Sequence, residues 1–342
     1  MPRLEYESVD LIVTSPPYPM VSMWDECFSE QSPAFAQSLE MEHGRYMHEM
    51  SHGVLGAVWN ECWRVLKPGG FWCINIGDAV RRVKDTFEFY SNATKVHACI
   101  APMAGPIVAL PPIIWRKPSN SPTKFLGSGM LPTSAYVTME HEHILIFRKG
   151  IERRTYHGED RTRRRRSAIF WEERNEWFSD LWTVPGHRQE PKSLGGLRTG
   201  AFPAAIPERL ICMFSLYGDV VLDPFMGTGT TQRAAMALGR NSLGFEHKRE
   251  AFIQPAESWR YINAVGQARL DKHRSFIGTR GATKGFEHRN SNHNTLVKSP
   301  QERDLVVTQT YELEALDQLP HPETPSELTV AWEAKHAGIE VG

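Results

Sequence analysis

Val220-Val-Leu-Asp-Pro-Phe-Met-Gly-Thr-Gly-Thr-Thr231 is the stretch on which the fold turns. A short apolar strand, Val220 to Leu222, ends at Asp223, a Gly-rich turn follows, and a helix runs to Leu238 before Gly239. Gly227 and Gly229 let the backbone approach a ligand with no Cβ in the way. The helix start at Thr230-Thr231 offers free N–H groups to an anion such as a carboxylate. The next strand, Ser242 to Phe245, ends at Glu246, 23 residues after Asp223. An acid at that spacing can hold the two hydroxyls of a ribose. The site therefore suits a nucleoside with a small anionic arm. No Gly-Lys-Ser/Thr follows, so this is not a P-loop, nor is it the full Gly-x-Gly-x-x-Gly. The plainer reading is a bare strand-to-helix turn; Asp223-Pro-Phe225 before it and Glu246 after it weigh against that.

Upstream, strand Asp10 to Thr14 ends in Ser15-Pro-Pro-Tyr18. In an α/β sheet the carboxyl ends of the strands are where ligands bind. The prolines fix the backbone, so the Ser15 hydroxyl and the Pro16 carbonyl can both accept from one –NH2 group, and Tyr18 offers a flat face for a planar ring. Val54, Leu55, Val58, Trp59, Cys62, Val65 and Leu66 repeat at helical spacing, and Lys67-Pro-Gly-Gly70 stops that helix. Strand Phe71 to Ile76 follows and ends at Gly77-Asp78. Two more strands are expected, Pro112 to Trp115 and His143 to Phe147. The uncharged run Ala98 to Trp115 holds four prolines, which argues against a membrane helix and for a buried loop leading into a strand. The alternation of strand and helix with short turns predicts a doubly wound, mostly parallel α/β sheet.

Together the two motifs make the chain resemble DNA amino-methyltransferases that use S-adenosylmethionine. Ser15-Pro-Pro-Tyr18 looks like their catalytic motif and Asp223-Pro-Phe-Met-Gly-Thr-Gly229 like their cofactor motif. The catalytic motif comes first, as in the circularly permuted β group. Arg64-Val-Leu-Lys-Pro-Gly-Gly70, Asn75-Ile-Gly-Asp78, Ile114-Trp-Arg-Lys117, His141 to Phe147 and Phe202 to Leu210 extend the likeness over about residues 8 to 250. The resemblance implies a Rossmann-like methyltransferase fold with a small target-recognition insertion. It implies that Ser15, Pro16, Pro17 and Tyr18 act on the target amine and base. It assigns the cofactor to Phe202, Asp223, Pro224, Phe225, Gly227, Gly229, Thr230 and Glu246. Ser at position 15, rather than Asp or Asn, resembles the subgroup that methylates N4 of cytosine; adenine N6 is the runner-up. Carbon-5 methylation needs a thiolate, typically after a proline, and no Cys here follows a Pro. The target base must be flipped out of the duplex. Family members usually carry a segment before the catalytic strand, whereas Asp10 has nine residues before it; an inactive DNA-binding relative is therefore the alternative from another class.

The expected organisation is a catalytic half at 1–150, a target-recognition region at 151–197, a cofactor half at 198–265 and a polar, partly disordered tail at 266–342. The net charge of -1 averages unlike parts. Residues 148–166 hold nine Arg and Lys against three acids, residues 266–300 seven against two, and residues 301–342 two against nine. Arg161, Arg163, Arg164, Arg165 and Arg166 lie where the family keeps target recognition, so they are expected to contact double-stranded DNA. Ser22 to Trp24 and Arg81 to Lys84 are lesser candidates. His141-x-His143 lacks a third ligand, so no metal is expected. Asp78 is equally suited to the pocket or to capping a helix, and Trp59, Trp63, Trp177 and Trp182 read as core. Five scattered cysteines and the lack of a signal-peptide pattern fit a reducing cytoplasm. A cognate restriction endonuclease is a possible partner; oligomeric state is not legible.

Overall fold

A computed structural model describes residues 1, 4–103, 105–118, 126–167, 169, 171–186, 202–246 and 265. The 266–342 tail lies outside the described residues.

Strand β1 (Val9–Thr14) is buried along its length. After a 3-10 turn (Ser22–Trp24) come helices α1 (Asp25–Gln31), α2 (Pro33–Glu40) and α3 (Gly44–Val65). Ser32 caps α2 by accepting the Phe35 N–H, and Pro33 sits in the first turn, where a missing N–H costs nothing. Met47, Ser51, Leu55, Trp59 and Cys62 line the buried side of α3 at helical spacing. β2 (Leu66–Ile76) leads into a hairpin of β3 (Ala79–Val83) and β4 (Thr86–Tyr90), then α4 (Asn92–Ile100). β5 (Ile107–Arg116), a small hairpin of β6 (Leu126–Gly127) and β7 (Ala135–Tyr136), and β8 (His141–Lys149) follow. Next are α5 (Gly158–Arg166), α6 (Trp171–Trp177) and β9 (Leu181–Thr183). α7 (Ala205–Phe214), β10 (Val220–Asp223), α8 (Thr230–Ala237) and β11 (Asn241–Gly244) close the described fold.

The central sheet has the order β11-β10-β1-β2-β8-β5-β9. β11, β10, β1 and β2 are mutually parallel, β8 is antiparallel to both β2 and β5, and β9 is parallel to β5. Only β8 therefore runs against the rest, and the carboxyl ends of six strands share one edge with the start of β8. Helices cover both faces: α3 and α4 pack on one core, α7 and α8 on the other. Leu11 and Val13 face the second core while Val9 and Ile12 face the first. The break in alternation falls where the β1–β2 register shifts between Val9 and Leu11. This is the doubly wound, Rossmann-like sheet the sequence predicts.

The strand expected at Pro112 to Trp115 is present but begins earlier, at Ile107, so the buried loop expected before it is shorter than predicted. Ala98 to Ile100 end α4 and Ile107 to Trp115 belong to β5, and Pro111 and Pro112 lie exposed at a register break between Leu110 and Ile113. β9 pairs only with Ile114 to Arg116, so the prolines sit where no neighbour needs their missing N–H. No described helix is long and apolar enough to cross a membrane.

Candidate active site

Both motifs emerge on the carboxyl edge of the sheet, from the adjacent parallel strands β1 and β10. Asp223 joins them. Its carboxylate accepts from Thr14 Oγ1 at 2.7 Å, from Thr231 Oγ1 at 2.8 Å and from the Phe225 N–H at 3.0 Å. The side chain thus ties the end of β1, the Gly-rich turn and the first turn of α8 together. Burial pushes its pKa up to about 6, against the pull of those three donors.

Gly227 and Gly229 have φ of 52° and 76°, the left-handed region that a side chain resists. Gly229 is the residue before α8, so the turn leaves the helix N-terminus facing the edge. Glu246 follows β11 and accepts from the Gly227 N–H at 2.7 Å. A Cβ on Gly227 would meet nothing within 4 Å, so open space lies beside the turn. Phe225 sets its ring edge-on to Trp59, centroids 5.8 Å apart. Phe202 is buried in the core beneath α7. Pro224 and Thr230 lie in the turn and at the start of α8, and Thr230 Oγ1 is 3.2 Å from Thr228 Oγ1.

Ser15, Pro16, Pro17 and Tyr18 follow β1 directly. Ser15 Oγ lies 3.0 Å from Tyr18 Oη. Tyr18 Oη donates to Glu142 Oε2 at 2.7 Å, and Asn75 Nδ2 donates to both Tyr18 Oη and Glu142 Oε2 at 2.7 Å. Lys117 Nζ completes the set with a salt bridge to the other Glu142 oxygen, and its ammonium lies 4.7 Å from the Trp115 ring centroid. Burial raises the Tyr18 pKa well above that of a free phenol, so the hydroxyl keeps its proton. A Cβ on Gly77 would stand 2.9 Å from the Tyr18 ring, so glycine there makes room for it.

Asn92 fixes the loop from behind. Its Nδ2 donates to the Pro19 carbonyl at 2.9 Å and the Gly77 carbonyl at 2.8 Å, joining the two strand ends. Its Oδ1 contacts Nε2 of His48 and of His52, at 3.0 and 3.1 Å. Asp78 accepts from the Ala93 N–H at 2.9 Å, which is the capping role, and lies 3.5 Å from His143 Nε2.

The arginine run is not brought to this edge. Arg163 pairs with Asp160 and with Asp219, which precedes β10. Arg154 pairs with Asp219 and with Asp10, at the other end of β1. Arg161 and Arg164 line a cavity of about 720 Å³ with Asp10, Gly69 and Asp219, at the amino edge of the sheet. The side chains of Arg165 and Arg166 lie outside the described residues. Of the lesser candidates, Arg81 is held by both oxygens of Asp25 at 2.7 Å, while Arg82 and Lys84 are exposed on the β3–β4 hairpin beside the carboxyl edge. Trp59 and Trp182 are buried, as core residues should be.

Sequence reasoning assigned no role to Asn75, Lys117, Glu142 or Asn92. A signal existed in two of them: Asn75 interrupts the apolar run Phe71 to Ile76, and Glu142 is an acid at a buried strand position.

A family model described as DNA methylase matches residues 9–256. The Type II methyltransferase M.MthZI of Methanothermobacter thermautotrophicus is 44% identical over 313 residues, covering 89% of this chain and 86% of its own. M.MjaI of Methanocaldococcus jannaschii is 46% identical over 257 residues, covering 72% and 83%. Among solved structures, TTHA0409 of Thermus thermophilus, a putative DNA modification methylase complexed with S-adenosyl-L-methionine, matches with a TM-score of 0.56 at 29% identity, over 77% of this chain and 89% of that one. A family match spanning most of the chain, and relatives this close over nearly their whole length, establish that the chain belongs to the DNA methylase family.

Proposed function

We propose that the protein methylates N4 of cytosine at a specific site in double-stranded DNA. The reaction class is that of the family: methyl transfer from S-adenosylmethionine to an exocyclic amine of a DNA base. The chain's residues suit the cofactor. The N-terminus of α8 can take its carboxylate, the space beside Gly227 admits a ligand close to backbone, and Glu246 ends the neighbouring strand as a ribose acceptor would. When bound, the cofactor supplies a sulfonium methyl, an electrophile that needs no covalent enzyme intermediate.

The chain's own task is to hold the amine. An exocyclic amine is a poor nucleophile because its lone pair is delocalised into the ring. Ser15 Oγ and the Pro16 carbonyl would accept its two hydrogens and favour a more pyramidal nitrogen. Tyr18 would stack on the flipped base, with its hydroxyl anchored by Asn75 and Glu142.

Ser15 at the head of the motif carries the choice of cytosine, through the resemblance to the N4 subgroup. Arg82 and Lys84 are proposed as phosphate contacts near the target. Arg161 to Arg166 would reach only phosphates farther along the duplex. The relatives' naming as Type II methyltransferases supports work beside a cognate restriction endonuclease.

The deciding experiment incubates the protein with plasmid and labelled cofactor, digests the DNA to nucleosides and weighs the product. N4-methylcytosine is expected, and N6-methyladenine would overturn the choice of base. Ser15→Ala should lose at least ~100-fold in rate with cofactor affinity unchanged.

A further inference from the structure

We propose that Ser15, Tyr18 and Glu142 form a one-way proton relay that carries the departing amine proton from the base to a buried carboxylate. The inference rests on methyl transfer to an exocyclic amine, not on which base carries it.

Donor and acceptor chemistry sets the direction. The Asn75 amide nitrogen can only donate, and it donates to both Tyr18 Oη and Glu142 Oε2. An ionised carboxylate can only accept. The Tyr18 proton therefore points at Glu142 Oε2, 2.7 Å away. The remaining lone pair of Tyr18 Oη faces Ser15 Oγ at 3.0 Å and takes the serine proton. Asn75 Nδ2 also reaches Ser15 Oγ, at 3.4 Å, and the other lone pair of Ser15 is left for an N–H of the base. Lys117 pairs with the other Glu142 oxygen and compensates the charge of the carboxylate. Glu142 is 8% exposed while the Lys117 side chain is 37% exposed, so the relay ends beside an opening to solvent.

The step balances. The nitrogen lone pair forms the N–C bond, and the S–CH3 bond breaks with its electrons left on sulfur. As the N–C bond forms, positive charge builds on a nitrogen attached to an electron-poor ring, and the proton leaves within the same transition state. That proton passes to Ser15 Oγ, the serine proton to Tyr18 Oη and the tyrosine proton to Glu142. Glu142 ends neutral and returns one proton to water on the Lys117 side. Glu142 acts through Tyr18 and touches no substrate atom.

The test compares wild type, Glu142→Gln, Tyr18→Phe and the double variant in single-turnover methylation. Tyr18→Phe keeps the ring and removes the relay hydroxyl. Each single variant should lose ~10²-fold or more in rate, with KM for DNA unchanged. Cofactor affinity by calorimetry and base flipping by 2-aminopurine fluorescence should match wild type. The double variant should be no slower than the slower single, because links in series fail together. The wild-type rate should fall at least about twofold in heavy water, and Glu142→Gln should lose that dependence. The relay is overturned by a Glu142→Gln rate within threefold of wild type, by losses that multiply in the double variant, or by an unchanged solvent isotope effect. N6-methyladenine from the wild type would sink the cytosine reading and leave the relay standing.

Discussion

Asp223 shows what one buried carboxyl can do to an enzyme's pH response. It is 2% exposed, and burial raises its pKa to about 6 although Thr14, Thr231 and the Phe225 N–H all favour the charge. A raised folded pKa makes the ionised form the costly one. This residue's contribution therefore falls as pH rises from about 4 to about 6, by on the order of 2–3 kcal/mol, and is level above that. A cationic ligand beside the carboxylate reverses the preference. Cofactor affinity should therefore tighten about tenfold per unit up to about pH 6 and then flatten. Asp223→Asn should bind weakly at every pH. Calorimetric titrations between pH 5 and 8 check this, and a wild-type affinity flat from pH 5 to 7 would refute it. Asp223 was legible because its neighbours in sequence carry the motif. Asn75, Glu142 and Asn92 were not, because each acquires its role from a partner 57 or more residues away.

At the scale of elements, α3 and α4 meet through two histidines and Asn92. His52 is pushed down to about 3, chiefly by burial, then by the nearby His48 charge, against the opposing bond to Asn92. The free imidazole titrates near 6.5, so the unfolded chain takes up the proton first. Stability should be complete above that pH and should fall as pH drops toward 3. His52→Leu should flatten this acid dependence while weakening the α3–α4 contact. Thermal midpoints at pH 8 and pH 5 test it, and a wild-type midpoint insensitive to that change would argue against it. α3 was readable from an apolar stripe at helical spacing, β1, β2 and β10 from short continuous apolar runs buried on both faces, and α8 from the Gly-rich turn before it. The β3–β4 hairpin was not, since Arg81-Arg-Val-Lys84 reads as a charge run and one arginine is consumed by Asp25. Only the end of β5, Pro112 to Trp115, was read as strand, and its first half was read as loop, because prolines count against a strand until a register break gives them a place.

For the whole molecule, the two edges of the sheet have separate work. The carboxyl edge holds both motifs. The amino edge is fastened by acids: Asp10 takes Lys67 at 2.9 Å, Arg154 at 3.2 Å and the Val220 N–H at 3.0 Å. The positive run at 148–166 was visible in composition, but half its meaning lay in Asp10 and Asp219, which no local count reveals. Replacing Arg82 and Lys84 with Ala should weaken binding to every duplex and lower the salt-dependence slope by about two. The same change at Arg161 and Arg164 should matter less. Binding measured at several salt concentrations separates them, and equal slopes would contradict this placement. The order in which the strands are made has a cost of its own. β1 pairs with β10 across 210 residues of chain. Leaving the ribosome at about 5–20 residues per second, β1 waits roughly 10–40 s for that neighbour. Through that interval Leu11 and Val13 border an unpaired ladder, the kind of edge that invites the wrong strand. The order of the motifs along the chain thus sets how long the catalytic strand must be kept from other chains.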